Sequence, residues 1–290
     1  MSRVNRSVRL QADGRHVLII LLLVTISLGA QARRIVSIIP ATTEMLFAMG
    51  AGDRVIAVGS YDHFPPEALK RPKVGALLDP NVEQILQLHP DLVVVYGTQT
   101  ELKRRLDRAH IAYFDYENKG LADITGTIRS LGLRIGEPRG ANALAARVEA
   151  ELADVRRRVA NARRPKTLLV FERERRSLRN MFASGGEGFL HDMIEAAGGA
   201  DVFADVHRQS VMMSTEMALD RAPEVIIELR YSADDINDAD INAWNVLSTV
   251  PAVKNHRIVV LAGEEFVVPG PRVGLATRKL AAALHPELRW

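Results

Sequence analysis

The stretch from residue 138 to residue 163 constrains this chain most. Leu144, Val148, Leu152, Val155 and Val159 recur at spacings of four, four, three and four residues, which draws one apolar stripe along a helix. Pro138 suits a first helical turn, where its missing N–H costs nothing, and Pro165 bars continuation. Ala, Glu and Arg dominate between them, and Asp154 stands one turn before Arg158. At about 1.5 Å per residue this predicts a rod of roughly 39 Å, long enough to cross a domain.

Similar sequence lies on both sides of the rod. Residues 81–95 read NVEQILQLHPDLVVV and residues 214–228 read STEMALDRAPEVIIE. In each, a capping residue is followed two places on by Glu and nine places on by Pro, then by an apolar run suited to a strand. The repeat predicts two αβ lobes of common plan, one before the rod and one after it.

A leader is expected at residues 1–32. Arg3, Arg6, Arg9 and Arg15 precede an apolar run of twelve residues, 17–28, and Ala30-Gln31-Ala32 offers small residues for cleavage after Ala32. Twelve apolar residues are few for a membrane span, so export with cleavage is favoured over a retained anchor. The chain has no Cys, hence neither a lipid-attachment site nor a disulfide framework. The leader carries four Arg and one Asp, so removing it takes the net charge from +3 to zero. The basic isoelectric point is therefore no argument for nucleic-acid binding.

The remaining chain alternates short apolar strands with amphipathic helices, which predicts an α/β fold with mainly parallel sheets covered on both faces. The expected boundaries are 33–137 for the first lobe, 138–164 for the connecting helix and 165–290 for the second lobe. In the first lobe, Thr42 or Thr43 is expected to cap the first helix. In the second, residues 173–188 read as a long basic loop and residues 202–214 as irregular.

In open α/β sheets, ligands bind beyond the carboxyl ends of the strands. That selects the loops at 60–64, 76–81, 96–100, 173–188 and 263–272. Tyr61 and Tyr96 each follow a strand and can present a flat, half-polar face to a ligand, or fold back on their own lobe; Phe266 stands in the same position. Arg272 can hold a carboxylate, phosphate or amide of a bound molecule, or be a solvated residue at a helix start. Arg173, Arg175, Arg176 and Arg179 suit an anionic ligand if they line the cleft, and otherwise form a solvated face.

Catalytic patterns are poor. The chain lacks G-x-S-x-G, G-x-x-x-x-G-K, H-E-x-x-H and G-x-G-x-x-G, and Gly185-Gly186-Glu187-Gly188 lacks the Lys and Ser/Thr of a nucleotide loop. The histidines are scattered, and none stands at a spacing that completes a metal site with Asp62 and His63. No enzyme activity, metal or resident cofactor is predicted. Glu83 and Glu216 occupy the same place in the two repeated units. Each stabilises a helix N-terminus by about 0.3 to 1 kcal/mol, which can explain either alone. As a pair, they are matching carboxylates able to meet a two-fold symmetric basic partner.

Four segments now bear comparison with a known family: RIVSIIPATTEMLFAMGAGDRVIAVGSYDHFPPEA, PKVGALLDPNVEQILQLHPDLVVVYG, SGGEGFLHDMIEAAGGADVF and VPGPRVGLATRKLAAAL. Together they resemble the periplasmic substrate-binding proteins of importers for cobalamin, haem and ferric siderophores, over nearly the whole chain after the leader. The resemblance implies the helical-backbone type of binding protein: two lobes on one rigid helix, a ligand between them, small lobe closure and delivery to an ABC permease. It implies that Glu83 and Glu216 dock on arginines of the permease dimer, and that the protein is a periplasmic monomer. The cobalamin binder is the nearest relative in spacing; its ligand-contacting Tyr, Trp and late Arg fall on Tyr61, Tyr96 and Arg272. Two of its tryptophans fall on Leu77 and Ser210, and the Arg-rich loop is foreign to its pattern. Those departures leave room for a ferric siderophore, or for haem held by Tyr61, His63 or Tyr96. A zinc or manganese receptor and a periplasmic α/β enzyme are the remaining alternatives.

Overall fold

Strand runs that are apolar at every position, not alternating, need cover on both faces, and the chain supplies it twice. The computed structural model describes residues 32–231 and 241–290; of the expected leader, only Ala32 falls within them. The first lobe comprises β1 (Ile35–Ser37), α1 (Pro40–Ala48), β2 (Val55–Val58), α2 (Val82–Gln87), β3 (Leu92–Tyr96), α3 (Thr100–Arg108), β4 (Ala112–Tyr116) and α4 (Leu121–Ile135). Its strands lie in the order β2-β1-β3-β4, all parallel. Val93, Val94 and Val95 are fully buried, as consecutive residues of a strand covered on both sides must be. Helix α1 starts at Pro40 with Ile39 at its cap, so Thr42 and Thr43 lie inside the helix with buried side chains and do not cap it.

Helix α4 stops at Gly136, whose φ of 76° suits a residue without a Cβ, and the rod α5 (Pro138–Val159) follows. Every residue of the predicted stripe is buried. At roughly 1.5–3 kcal/mol for each buried side chain, the stripe outweighs surface pairs such as Asp154–Arg158. The helix ends short of residue 164. Past it, Arg163 pairs with Glu224, and Arg164 donates to the Gly199 carbonyl at 2.7 Å, so both turn into the second lobe. Glycines let α5 sit close to its neighbours. A Cβ on Gly140 would stand 2.2 Å from the Met49 carbonyl oxygen, and one on Gly132 2.1 Å from the Cβ of Ala141.

The second lobe comprises β5 (Lys166–Glu172), β6 (Met181–Ser184), α6 (Phe189–Ala196), β7 (Ala200–Asp201), β8 (Ser210–Met213), α7 (Thr215–Arg221), β9 (Val225–Arg230), α8 (Pro251–Lys254), β10 (Ile258–Ala262) and α9 (Val273–Leu284). Its sheet runs β10-β9-β5-β6-β8, with β7 pairing β5. Strands β10, β9 and β5 are parallel, while β6 and β8 extend the sheet antiparallel. This corrects the reading of 173–188 as loop and 202–214 as irregular. Met181, Ala183, Val211 and Met213 are the buried apolar residues of two short strands. Four-residue strands among charged neighbours give too short a periodicity to read. The glycine run between β6 and α6 is a turn whose amides are taken internally: Gly185, Gly186 and Glu187 donate to Gln209, Val206 and Arg208.

The repeated units adopt the same local structure. Asn81 accepts from the Gln84 amide at 3.0 Å and Ser214 from the Met217 amide at 3.4 Å, each capping its helix. Their strands β3 and β9 each pair in parallel with the first strand of their lobe, β1 and β5. One apolar cluster runs from the first sheet through α5 to β9 and α9; a second packs around Phe203 and Trp244.

Candidate functional site

The carboxyl end of β1 opens onto a knot of buried hydroxyls. Thr43 Oγ1 donates to Ser37 Oγ at 2.8 Å, Ser37 and Thr42 share a 2.9 Å bond, and all three side chains are fully buried. Asp62, also fully buried, accepts from the Gly59 amide and is hydrogen-bonded by Thr43, while its Oδ1 has no hydrogen-bond partner. Burial pushes its carboxyl up to about 7 despite those bonds. Lys73 Nζ donates to the Asp62 carbonyl at 2.6 Å. With its middle residue fixed, the 60–64 loop turns its neighbours outward: Tyr61 is 68% exposed and His63 is exposed.

Tyr96 ends β3. Its amide donates to the Gln99 side chain at 2.8 Å, Gln99 Nε2 donates to the Leu77 carbonyl at 2.6 Å, and its ring tilts against Tyr116 with centroids 6.0 Å apart. Tyr96 is half-buried.

On the second lobe, the ends of β5 and β9 border a cavity of about 430 Å³ lined by Phe171, Glu172, Arg173, Arg175, Leu229, Arg230 and Tyr231. Tyr231 was absent from the sequence expectations. Its phenol pKa is raised by desolvation and by the charges of Glu172 and Glu264. Arg173 borders the cavity but its guanidinium is held inside the protein. Its guanidinium lies on Glu228, Nε to Oε1 at 2.6 Å and Nη2 to Oε2 at 3.2 Å, with both side chains buried. Trp244 Nε1 and Arg230 Nη2 complete the same carboxylate, each at 2.6 Å.

Arg272 is likewise engaged within the protein. Its Nη2 and Nε take the two oxygens of Glu44 at 2.5 and 2.9 Å, Nη1 lies 3.4 Å from Glu265, and the guanidinium stacks 4.0 Å from the Phe64 ring centroid. Burial works against the Arg272 charge, but the Glu44, Glu265 and Glu264 carboxylates outweigh it and raise its pKa. Phe266 departs from expectation. The turn Glu264–Phe266 carries its ring into the core, where it is 1% exposed, so it supports the cleft without facing it. Glu264 takes the outward place and bonds His63 Nδ1 at 2.5 Å. Glu83 and Glu216 are exposed at the second positions of α2 and α7. The Ser214 hydroxyl holds the Glu216 carboxyl below its usual range.

Two α/β lobes joined by one long helix are what the sequence resemblance implied. The profile of the periplasmic binding protein family matches residues 35–264. The chain belongs to that family. A vitamin B12-binding protein of Yersinia pseudotuberculosis is 27% identical over 266 residues, 90% of each chain. One from Yersinia pestis is 28% identical over 265 residues, again 90% of each. Among solved structures, the periplasmic vitamin B12-binding protein BtuF of Vibrio cholerae superposes with a TM-score of 0.76 at 25% identity, covering 88% of this chain and 98% of that one. The periplasmic haem-binding protein RhuT of Roseiflexus sp. RS-1 gives the same TM-score and coverage at 26% identity. The relatives of this periplasmic binding protein are binding proteins, not enzymes. Among the described residues, no helix is long and apolar enough to cross a membrane.

The P-A-T-T-E and V-P-G-P-R segments of this family member meet in space. Thr42 and Thr43 serve the hydroxyl knot, Glu44 receives Arg272, and Gly270 leaves room for them: a Cβ there would stand 3.2 Å from Glu44 Oε2.

Proposed function

We propose that this protein is the substrate-binding component of an ABC importer that captures a corrinoid, cobalamin or a near relative, between its lobes. It delivers that cargo, without reaction, to an inner-membrane permease dimer docked through Glu83 and Glu216. The observation that carries the corrinoid reading is the engagement of Arg173 and Arg272 by buried carboxylates within the protein. With both guanidiniums on buried carboxylates, the cleft offers phenols, Tyr61, Tyr96 and Tyr231, to a large flat ligand edged with neutral amides. A carboxylate-rich siderophore would still meet Arg175 and Arg230 at the second-lobe rim, but not an Arg272 free of Glu44. The similarity to vitamin B12-binding proteins over 90% of the chain supports the same choice.

Haem is the second reading, favoured by the exposed Tyr61 beside His63 and by the likeness to RhuT. Spectroscopic titration with cyanocobalamin, haemin and ferric siderophores decides between them. Saturable binding of cyanocobalamin alone supports the proposal, and a haemin Soret shift without cyanocobalamin binding replaces it. Export is part of the proposal, with cleavage after Ala32. Amino-terminal sequencing of the periplasmic form checks the cut.

A further inference from the structure

Arg272 ties the second lobe to the first. It follows β10 in the second lobe, whereas Glu44 lies on α1 in the first, 228 residues away in sequence. The fork-to-fork contact between them uses Nε and Nη2, Nη1 leans on Glu265, and one face of the guanidinium is covered by Phe64 of the first lobe. Glu265 is in turn held by Lys279 Nζ at 2.6 Å. A second bridge runs alongside, from His63 in the 60–64 loop of the first lobe to Glu264 of the second. Other polar ties between the lobes lie elsewhere: the Leu121 amide donates to Asp192 Oδ2 at 2.8 Å, and Gln209 Nε2 donates to the Asn118 carbonyl at 3.5 Å.

We propose that Arg272 is a positioning residue that sets the spacing of the two lobes. Clasped to Glu44 on α1 and stacked on Phe64 of the 60–64 loop that carries Tyr61, it holds the first lobe at a fixed distance from the second-lobe rim, so the cleft keeps its width before cargo arrives. A flexible pair of lobes would reach the binding width only part of the time, and affinity would fall by that fraction. The bidentate geometry matters because a planar fork resists rotation, which a lysine ammonium does not.

The inference deepens the cleft reading above and rests on it, but its central measurement needs no cargo and so fails separately. The absence of native cysteine allows spin labels at Asp107→Cys and Lys254→Cys, exposed positions on α3 and α8, one in each lobe. Inter-label distances are then measured by pulsed electron resonance in the full chain after leader removal. The wild-type background should give one narrow distribution, and Arg272→Gln and Glu44→Gln should each broaden it about twofold. Arg272→Lys should fall between. Cyanocobalamin affinity should weaken about tenfold in both Gln variants, although Glu44 is covered by Arg272. Should Arg272→Gln fail to fold by circular dichroism, the nearly isosteric Glu44→Gln carries the test. Narrow, unshifted distributions in the folded Gln variants overturn the proposal. So does tighter cyanocobalamin binding in Glu44→Gln, which would mark Arg272 as a ligand group released from its partner.

Discussion

Arg173 and Glu228 form an ion pair buried on both sides, 2.6 Å from Nε to Oε1, at the carboxyl ends of the adjacent parallel strands β5 and β9. The pair anchors the rim of the second lobe, because Trp244 and Arg230 bind the same carboxylate. Removing one partner leaves the other charged and desolvated. Glu228→Gln should therefore cost about 3–5 kcal/mol. Joint replacement by Met at 173 and Leu at 228 should recover part of that loss, with urea denaturation as the measurement.

Asp62 gives stability a pH dependence of known sign. Its carboxyl is raised from 3.8 to about 7 in the folded chain, so folding retains a proton that the unfolded chain releases. The contribution is complete at acid pH below the unfolded value and is lost as pH rises through about 7, a swing of about 4 kcal/mol. Asp62→Asn should match wild type near pH 4 and exceed it near pH 8. Urea midpoints of the two proteins across that range test this, and parallel curves refute it.

Tyr61 stands on a rigid loop with its ring in solvent, so its removal should affect binding and not folding. Tyr61→Ala should weaken cyanocobalamin binding about tenfold or more, with an unchanged melting temperature. Equal affinity by titration would remove Tyr61 from the ligand surface.

Glu83 and Glu216 are exposed at equivalent helix positions, where losing either costs only the helix-end term. Changing both to Lys should leave cyanocobalamin affinity intact and abolish uptake in cells carrying the permease. Uptake at the wild-type rate would refute the docking role.

Gly140 lets α5 press on the first lobe, its added Cβ meeting the Met49 carbonyl oxygen at 2.2 Å. Gly140→Ala should cost about 1–3 kcal/mol by displacing the rod, despite the better helix propensity of Ala. A stabilised variant in thermal melts would contradict this.

Local signals made most of the fold legible. Helix α5 announced itself through five apolar residues at helical spacing, all of them buried in the structure. The strands β3 and β9 were visible as apolar runs after Pro, and their helices through Asn81 and Ser214. Strands β6 and β8 were not, because each has only four residues and takes its identity from pairing with the other. The site was less legible. Tyr61, Glu83 and Glu216 are exposed and Tyr96 is half-buried, whereas Phe266 turned inward and Tyr231 went unnoticed.

The sequence by itself determined the elements, their alternation and the duplication, since helix stripes, caps and strand runs depend on residues within a few places of one another. Only the tertiary structure decided which charges remain available to a ligand. Arg272 and Arg173 read as open hands in the sequence, and both proved to be closed on carboxylates 228 and 55 residues away. A charge is neutralised by what lies within a few ångströms of it, and no local pattern records a neighbour brought there by folding.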